Sequence, residues 1–351
     1  MSFEDNIRKV VPYTPGEQPK RKVIKLNTNE CPYPPSPKVF NALEDFDASH
    51  LRLYPDPECT GLVNSIADYY GRKPEEVFVG VGSDDVLSMC FLTFFAGKKP
   101  ILFPDITYSF YEVWADVYRI PYKTIPLKEN FDLDDEDYMI ENGGIVIANP
   151  NAPTGVSEPL EKIEKIIKAN HDSVVIVDEA YIDFGGETAL PLIDKYENVI
   201  ITRTMSKSRA MAGMRIGYAF GPEKLIKYLN DVKFSVNSYT MNMPALIAGE
   251  EAMLDKRYFE QIRDKVVATR ERSKDMLKKL GFTFRDSKTN FIFAKHERVP
   301  AKYIFEKLKE HDIYVRYFNK PRIDDHLRIS IGTDEEMDEL FKALETILQE
   351  A

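Results

Sequence analysis

The stretch Val199-Ile-Ile-Thr-Arg-Thr-Met-Ser-Lys-Ser208, continuing as Arg-Ala-Met-Ala-Gly-Met-Arg-Ile-Gly-Tyr218, decides the fold. Its first three residues form an apolar run of strand length, and within a few positions the chain turns to hydroxyls, small residues and cations. A buried strand therefore ends here and a polar loop begins. Lysines normally lie on solvated surfaces, so Lys207, just past such a strand with Ser206 before it and Arg215 downstream, is placed as in a cofactor site. A Schiff-base lysine needs cationic or desolvated surroundings, and a phosphorylated cofactor needs hydroxyls and a guanidinium for its dianion; this stretch supplies both. An ordinary strand-to-loop connection with surface charges has the same local composition, and this stretch alone does not separate the two.

Upstream the pattern repeats. Val174-Val-Ile-Val177 ends on Asp178-Glu-Ala-Tyr181, and Ile145-Val-Ile-Ala148 runs into Asn149-Pro-Asn-Ala-Pro-Thr-Gly155. Pro100-Ile-Leu-Phe103 leads to Tyr108, and Val77-Phe-Val79 to Gly80-Val-Gly-Ser-Asp-Asp85. Short apolar strands alternating with helical segments predict an α/β domain with a largely parallel sheet, whose ligands sit at the carboxyl edge. Ser83 or Asp84 is expected to cap the following helix and offer its first N–H groups to an anion. Tyr108 has the place of a ring platform, although aromatics there are more often simply packed.

Downstream of Pro222 the chain predicts a helix to about Leu229 and then one long amphipathic helix over about 244–280, ending at Gly281. Beyond it lie smaller strands at Asn290-Phe-Ile-Phe293, Ile313-Tyr-Val-Arg316 and Leu327-Arg-Ile-Ser-Ile331, and a final helix opened by a Thr333/Glu336 capping box. At the other end, proline and charge between Val11 and Pro37 exclude a helix or central strand and predict an arm draped over the body. The expected division is an arm (1–37), a large domain (38–243) and a small C-terminal domain (244–351).

The net charge of −10 argues against a nucleic-acid or anionic-membrane partner. No apolar run approaches the roughly 20 residues that span a bilayer. Cys31, Cys59 and Cys90 are odd in number and lack ligand spacing, and the five histidines lack metal partners, so neither a disulfide framework nor a metal site is expected and the cytoplasm is the default.

Together the loops offer an anion cup (Ser83, Asp84), a stacking Tyr108, a carboxylate (Asp178), a phenol (Tyr181) and a lysine with an arginine (Lys207, Arg215), the set that pyridoxal phosphate requires. The chain resembles the fold-type I aminotransferases, and its motifs are similar from end to end to those of the histidinol-phosphate aminotransferase family. The motifs that carry the resemblance are Val11-Pro-Tyr-Thr-Pro-Gly16, Leu26-Asn-Thr-Asn-Glu30, Tyr54-Pro-Asp56, Pro150 to Gly155, Asp178-Glu-Ala-Tyr181, Thr204 to Lys207, Ala212 to Gly217 and Leu327 to Thr333. The resemblance implies a large domain with a mostly parallel seven-stranded sheet and a smaller α/β domain. It implies Lys207 as the Schiff-base lysine, Asp178 on the pyridine nitrogen and Tyr181, with Asn151, at the phenolic oxygen. Thr204, Ser206 and Arg215 would take the phosphate, Asn29 and Arg328 would face the substrate, and Tyr13 and Arg316 would approach its phosphate group. Tyr54 would reach the cofactor of a second copy in a homodimer. Three positions depart from the family pattern: Cys31 in place of Asn, Pro34 in place of Gly, and Ala152 in place of the Asn that usually bonds the phenolic oxygen.

The expected reaction is amino transfer between histidinol phosphate and 2-oxoglutarate in the route to histidine. An aromatic or broad-specificity aminotransferase and a threonine-phosphate decarboxylase share this sequence plan. A non-catalytic cofactor-sensing domain of a transcription regulator is disfavoured by the absence of a basic patch.

Overall fold

The computed structural model describes residues 2–351. Its strands are β1 (Ile24–Lys25), β2 (Val77–Gly80), β3 (Ile101–Pro104), β4 (Tyr122–Ile125), β5 (Ile145–Ala148), β6 (Val175–Asp178), β7 (Val199–Thr204), β8 (Gly217–Phe220), β9 (Phe282–Phe284), β10 (Phe291–His296), β11 (Ile313–Tyr314), β12 (Arg316–Tyr317) and β13 (Leu327–Ser330). The helices are α1 (Pro37–Glu44), α2 (Thr60–Tyr70), α3 (Gly82–Phe94), α4 (Phe110–Tyr118), α5 (Leu160–Ala169), α6 (Glu223–Val236), α7 (Met243–Leu254), α8 (Lys256–Lys279), α9 (Ala301–Glu310) and α10 (Asp334–Glu350).

Seven strands form one sheet in the order β2-β8-β7-β6-β5-β3-β4. All ladders are parallel except those of β8, which runs against both β7 and β2. Residues of β5, β6 and β7 are buried along their whole length, because helices cover both faces, and this is why those strands read as continuous apolar runs rather than alternating ones. Val146, Ile176 and Ile200 pack to one face with α3, α4 and α6, while Ile145, Val177 and Ile201 pack to the other with α2, α5 and α7. Each such side chain contributes about 1.5–3 kcal/mol by leaving water. A third apolar cluster surrounds the sheet β12-β13-β10-β9 and includes Leu26, Ala152 and Tyr181 from earlier in the chain.

The chain order steps outward from β3 to β4 on one side and from β5 through β8 on the other, so the switch lies between β3 and β5. There the loops after the two strands part, and ligands of open α/β sheets bind at such a crevice. Thr107 donates to the Asn151 side chain across it at 2.8 Å.

Two local expectations give way. The segment expected to be one helix over about 244–280 is two, α7 and α8, because Asp255 leaves helical geometry (φ −94°, ψ 63°) and its carboxylate accepts the Tyr258 N–H as the cap of α8. The same carboxylate receives the Ser36 hydroxyl, so the break is tied to the start of α1. In α3 neither Ser83 nor Asp84 caps: the cap is Val81, whose N–H is taken by Asp85 at 2.9 Å, and Ser83 and Asp84 lie within the first turn. The Thr333/Glu336 capping box of α10 is present as read from sequence. Lys309 bonds the Glu17 carboxylate (2.8 Å) and Arg8 the Val117 carbonyl, tying the N-terminal segment to the body, while Asn27 bonds the Glu17 carbonyl (2.8 Å) within that segment. No helix among the described residues is long and apolar enough to cross a membrane.

Candidate active site

The end of β2 and the start of β8 meet at glycines for a steric reason. A Cβ on Gly217 would stand 2.3 Å from the Gly82 carbonyl carbon, and one on Gly82, whose φ is +82°, would stand 2.5 Å from Arg215 Nη2. The two glycines let Arg215 lie against the first turn of α3, where amide groups have no intrahelical acceptor. Asp84 shares this corner: its carboxylate accepts from Tyr108 Oη at 2.8 Å and from Arg215 Nη2 at 3.3 Å. Thr204 closes the turn after β7, its hydroxyl accepting the Ser206 N–H (3.1 Å) and donating to the Ile216 carbonyl (3.4 Å). Ser83, Asp84, Tyr108, Arg215, Thr204 and Ser206 thus line one polar corner; the Thr204 side chain is engaged in holding the loop.

Asp178, the last residue of β6, is buried with three neutral donors: Tyr111 Oη at 2.8 Å, the Ala180 N–H at 3.2 Å and Thr202 Oγ1 at 3.3 Å. Burial pushes its carboxyl up to about 6, against these donors, and the Asp84 charge adds to the rise. A buried carboxylate with no basic side chain among its donors suits a cationic ring nitrogen.

Lys207 is half-buried, donates to the Thr28 carbonyl at 3.2 Å and lies 5.7 Å from the centre of the Tyr181 ring. The Tyr181 oxygen accepts from Asn29 Nδ2 at 2.9 Å, which leaves its own proton free to donate. Asn29 is itself fixed by Ser330, which receives its N–H and donates to its side-chain oxygen, both at 2.9 Å, and Asn290 donates to its carbonyl. Asn29, expected at the substrate, therefore acts first on Tyr181. Asn151, expected at the cofactor, has its amide occupied by the Ile106 carbonyl, Thr154 and Thr107. Ala152 packs with Tyr181 and Phe184 in the apolar cluster.

Arg316 and Arg328 are directly opposite each other in the β12–β13 ladder. Their guanidinium carbons each lie 5.5 Å from the Phe318 ring centre. Arg316 donates to the carbonyls of Thr14 (3.3 Å) and Pro15 (3.4 Å) in the arm, and Arg328 to the carbonyl of Asn27 (3.0 Å). The Nε of Arg328 is buried without a partner. Burial, and the like charge of Arg316, lower the Arg328 pKa. Tyr13 stacks on Phe110 at 4.2 Å and reaches the edge of Tyr108 at 6.3 Å, so the arm closes over this end. Tyr54 is not part of the cluster within its own chain: it is 78% exposed and stacks on Tyr239.

Sequence reasoning missed Tyr111, Thr202, Thr28 and Ser330. Three of the four lie within or beside motifs already singled out, but each looks like packing or loop chemistry until the fold brings it to a functional group. Tyr111 follows Tyr108 by three residues, the one available signal that both face the same side of a helix start.

A lysine, a buried carboxylate and a polar corner at one edge of this sheet define a class. The chain belongs to the aminotransferase class I and II family, whose model matches residues 21–344. Within it, a histidinol-phosphate aminotransferase of Clostridium acetobutylicum is 52% identical, covering 97% of each chain, and one of Lactococcus lactis subsp. cremoris is 49% identical, covering 99% of this chain and 98% of that one. The structure of histidinol-phosphate aminotransferase from Sinorhizobium meliloti in complex with pyridoxal-5'-phosphate superposes with a TM-score of 0.86 at 25% identity, over 94% of this chain and 92% of that one.

Proposed function

We propose that this aminotransferase moves an amino group from L-histidinol phosphate to 2-oxoglutarate, using pyridoxal phosphate. The observation that carries the reading is the pair of arginines facing each other across β12 and β13, one with a buried Nε that has no partner. Like charges opposed in a ladder repel, and an anion between them reverses the sign. A phosphate group or the carboxylates of the returning oxo acid fit that demand, and the near-full-length relatives are named histidinol-phosphate aminotransferases.

The residues present fit the cofactor. Arg215, which the missing side chain of Gly82 lets lie against the start of α3, would receive its phosphate with the amides there, Tyr108 would supply a platform for the ring, and Asp178 would partner the ring nitrogen. Tyr181, oriented by Asn29, would donate to the phenolic oxygen without help from Ala152. Bound there, the cofactor supplies an aldehyde that captures amines and a ring that withdraws electrons from the captured carbon. Lys207 would supply the amine that anchors it and a base for the proton on the donor's α-carbon. Arg316 and Arg328 hold the substrate's anionic end, and Tyr13 on the arm excludes water above it.

The proposal includes a homodimer working in the cytoplasm. Exposed Leu51, Leu53, Tyr54 and Val236 suit burial against a second copy, with Tyr54 reaching that copy's cofactor phosphate. The division into arm, large and small domains belongs to it too, with α7 counted in the large domain because it packs on α1 and α2.

Rates with histidinol phosphate and with phenylalanine, in wild type and in Arg316→Ala, test the assignment. The variant is expected to lose about 2–3 kcal/mol in kcat/KM for histidinol phosphate and much less for phenylalanine. Phenylalanine as the better donor in the wild type, or equal loss for both, replaces the assignment with a broad-specificity aminotransferase. Mixing Lys207→Ala with Tyr54→Phe protein should restore part of the activity, since one hybrid site is then intact; a mixture no better than its parents removes the shared site.

A further inference from the structure

The carboxylate of Asp178 is enclosed from four sides. Thr202 faces it from β7, Tyr111 from α4, the Cys90 thiol and the carboxylate of Asp84 from α3, and the Ala180 N–H from its own turn. Of its three hydrogen bonds the one from Tyr111 is the shortest, 2.8 Å against 3.2 and 3.3 Å. Tyr111 has no solvent exposure, and its ring is fixed edge-on to Tyr108 (5.7 Å, 88°) and to Phe103 (5.9 Å, 67°). Burial, together with the Asp178 charge, keeps its hydroxyl protonated far beyond neutral pH, so toward Asp178 it can act only as a donor.

Packing alone explains an aromatic ring here but not the hydroxyl. A phenylalanine would keep the contacts to Tyr108, Phe103 and Phe91. A buried phenol requires an acceptor, and here the acceptor is the carboxylate assigned to the cofactor's ring nitrogen.

Resting on the function proposed above, we infer that Tyr111 is a positioning residue for transamination: its hydroxyl fixes the Asp178 carboxylate toward the cofactor's ring nitrogen, and its ring backs the Tyr108 platform. One side chain thereby sets the alignment of the nitrogen partner and of the stacking surface together. The bond also opposes the effect of burial on Asp178, because a donor to the ionised form favours that form.

Tyr111→Phe tests this while keeping the ring. The Asp178 carboxyl is titrated in the cofactor-free protein by infrared difference against Asp178→Asn, and pyridoxal phosphate affinity is measured across pH. Loss of the hydroxyl is expected to raise the Asp178 midpoint by about one pH unit and to weaken cofactor affinity about tenfold at pH 5 and below, about fivefold near pH 6 and about twofold near pH 7, with the loss vanishing at higher pH where the carboxylate is ionised regardless. Thr202→Val, removing the longer bond, should shift the midpoint less. Fluorotyrosine at position 111 makes a stronger donor of unchanged shape and should shift it downward, and this substitution decides the matter if Tyr111→Phe does not fold. An unchanged midpoint in Tyr111→Phe or with fluorotyrosine, or an affinity loss that is the same at every pH, overturns the role. Absence of cofactor binding in the wild type would defeat the proposed function instead, and the titration in the cofactor-free chain would still judge the Tyr111 bond.

Discussion

The two ends of the site are built on opposite plans. At the β6–β7 end the functional groups come from consecutive motifs at the ends of buried parallel strands, and Asp178 is held by three donors within the sheet and its covering helix. At the β12–β13 end they come from segments far apart in sequence, and the arginines have only backbone carbonyls of Thr14, Pro15 and Asn27 as hydrogen-bond partners, with one nitrogen left over. A group that must keep one geometry through every turnover is over-determined; a group that must accept and release an anion is lightly held.

The comparison is broken most sharply at the rigid end. Lys207→Ala removes one hydrogen bond, to the Thr28 carbonyl, and the amine proposed to anchor the cofactor. Turnover should fall by about three orders of magnitude or more with the protein still folded, and borohydride with cofactor should leave no covalent adduct in the mass spectrum.

Next comes the cost of keeping Asp178 ready. Its folded-state pKa, about 6, lies above the ordinary 3.8, so the folded chain favours the protonated form. Below about pH 4 the group carries no penalty; as pH rises from there through 6 the cofactor-free fold loses about 3 kcal/mol through this residue. Asp178→Asn should therefore be the more stable protein above pH 6 without cofactor, with the difference vanishing near pH 4 in denaturant melts. A wild type more stable than Asp178→Asn at pH 7.5 would contradict the over-determined but strained carboxylate.

At the lightly held end, Arg328→Lys keeps the charge and removes the fork. It should cost about 1.5–2 kcal/mol in kcat/KM for the phosphate-bearing donor with little change in stability, as measured by paired kinetics and melts. Tyr13→Ala is the smallest change. Loss of its stack on Phe110 is expected to raise KM by a factor of about 3–10 and leave kcat nearly intact, since the arm contributes closure rather than chemistry.

The same contrast governs what could be read beforehand. The parallel sheet was legible because burial on both faces leaves unbroken apolar runs, and Asp178, Tyr181, Lys207 and Arg215 stand out as polar residues at the ends of those runs. The break at Asp255 was not, since an aspartate inside an amphipathic pattern signals a cap only when its partner, the Tyr258 N–H, is known to be free. Capping by Ser83 or Asp84 was the natural reading of that turn, yet Asp85 reaches back to the Val81 N–H and α3 starts earlier, at Gly82. Asn151 reads as a cofactor ligand by its motif, whereas its amide bridges Ile106, Thr107 and Thr154, contacts that no local pattern encodes.

One short segment touches nearly everything. Asn27 gives its carbonyl to Arg328, Thr28 its carbonyl to Lys207, and Asn29, in a left-handed conformation with φ of 56°, its amide to Tyr181. Three successive residues thus set the datum for the proposed anion clamp, the proposed anchoring amine and the phenol. Inserting or deleting a single residue between Leu26 and Asn29 would throw all three operations out of step at once, so this tetrapeptide has a length that cannot drift even where its side chains can.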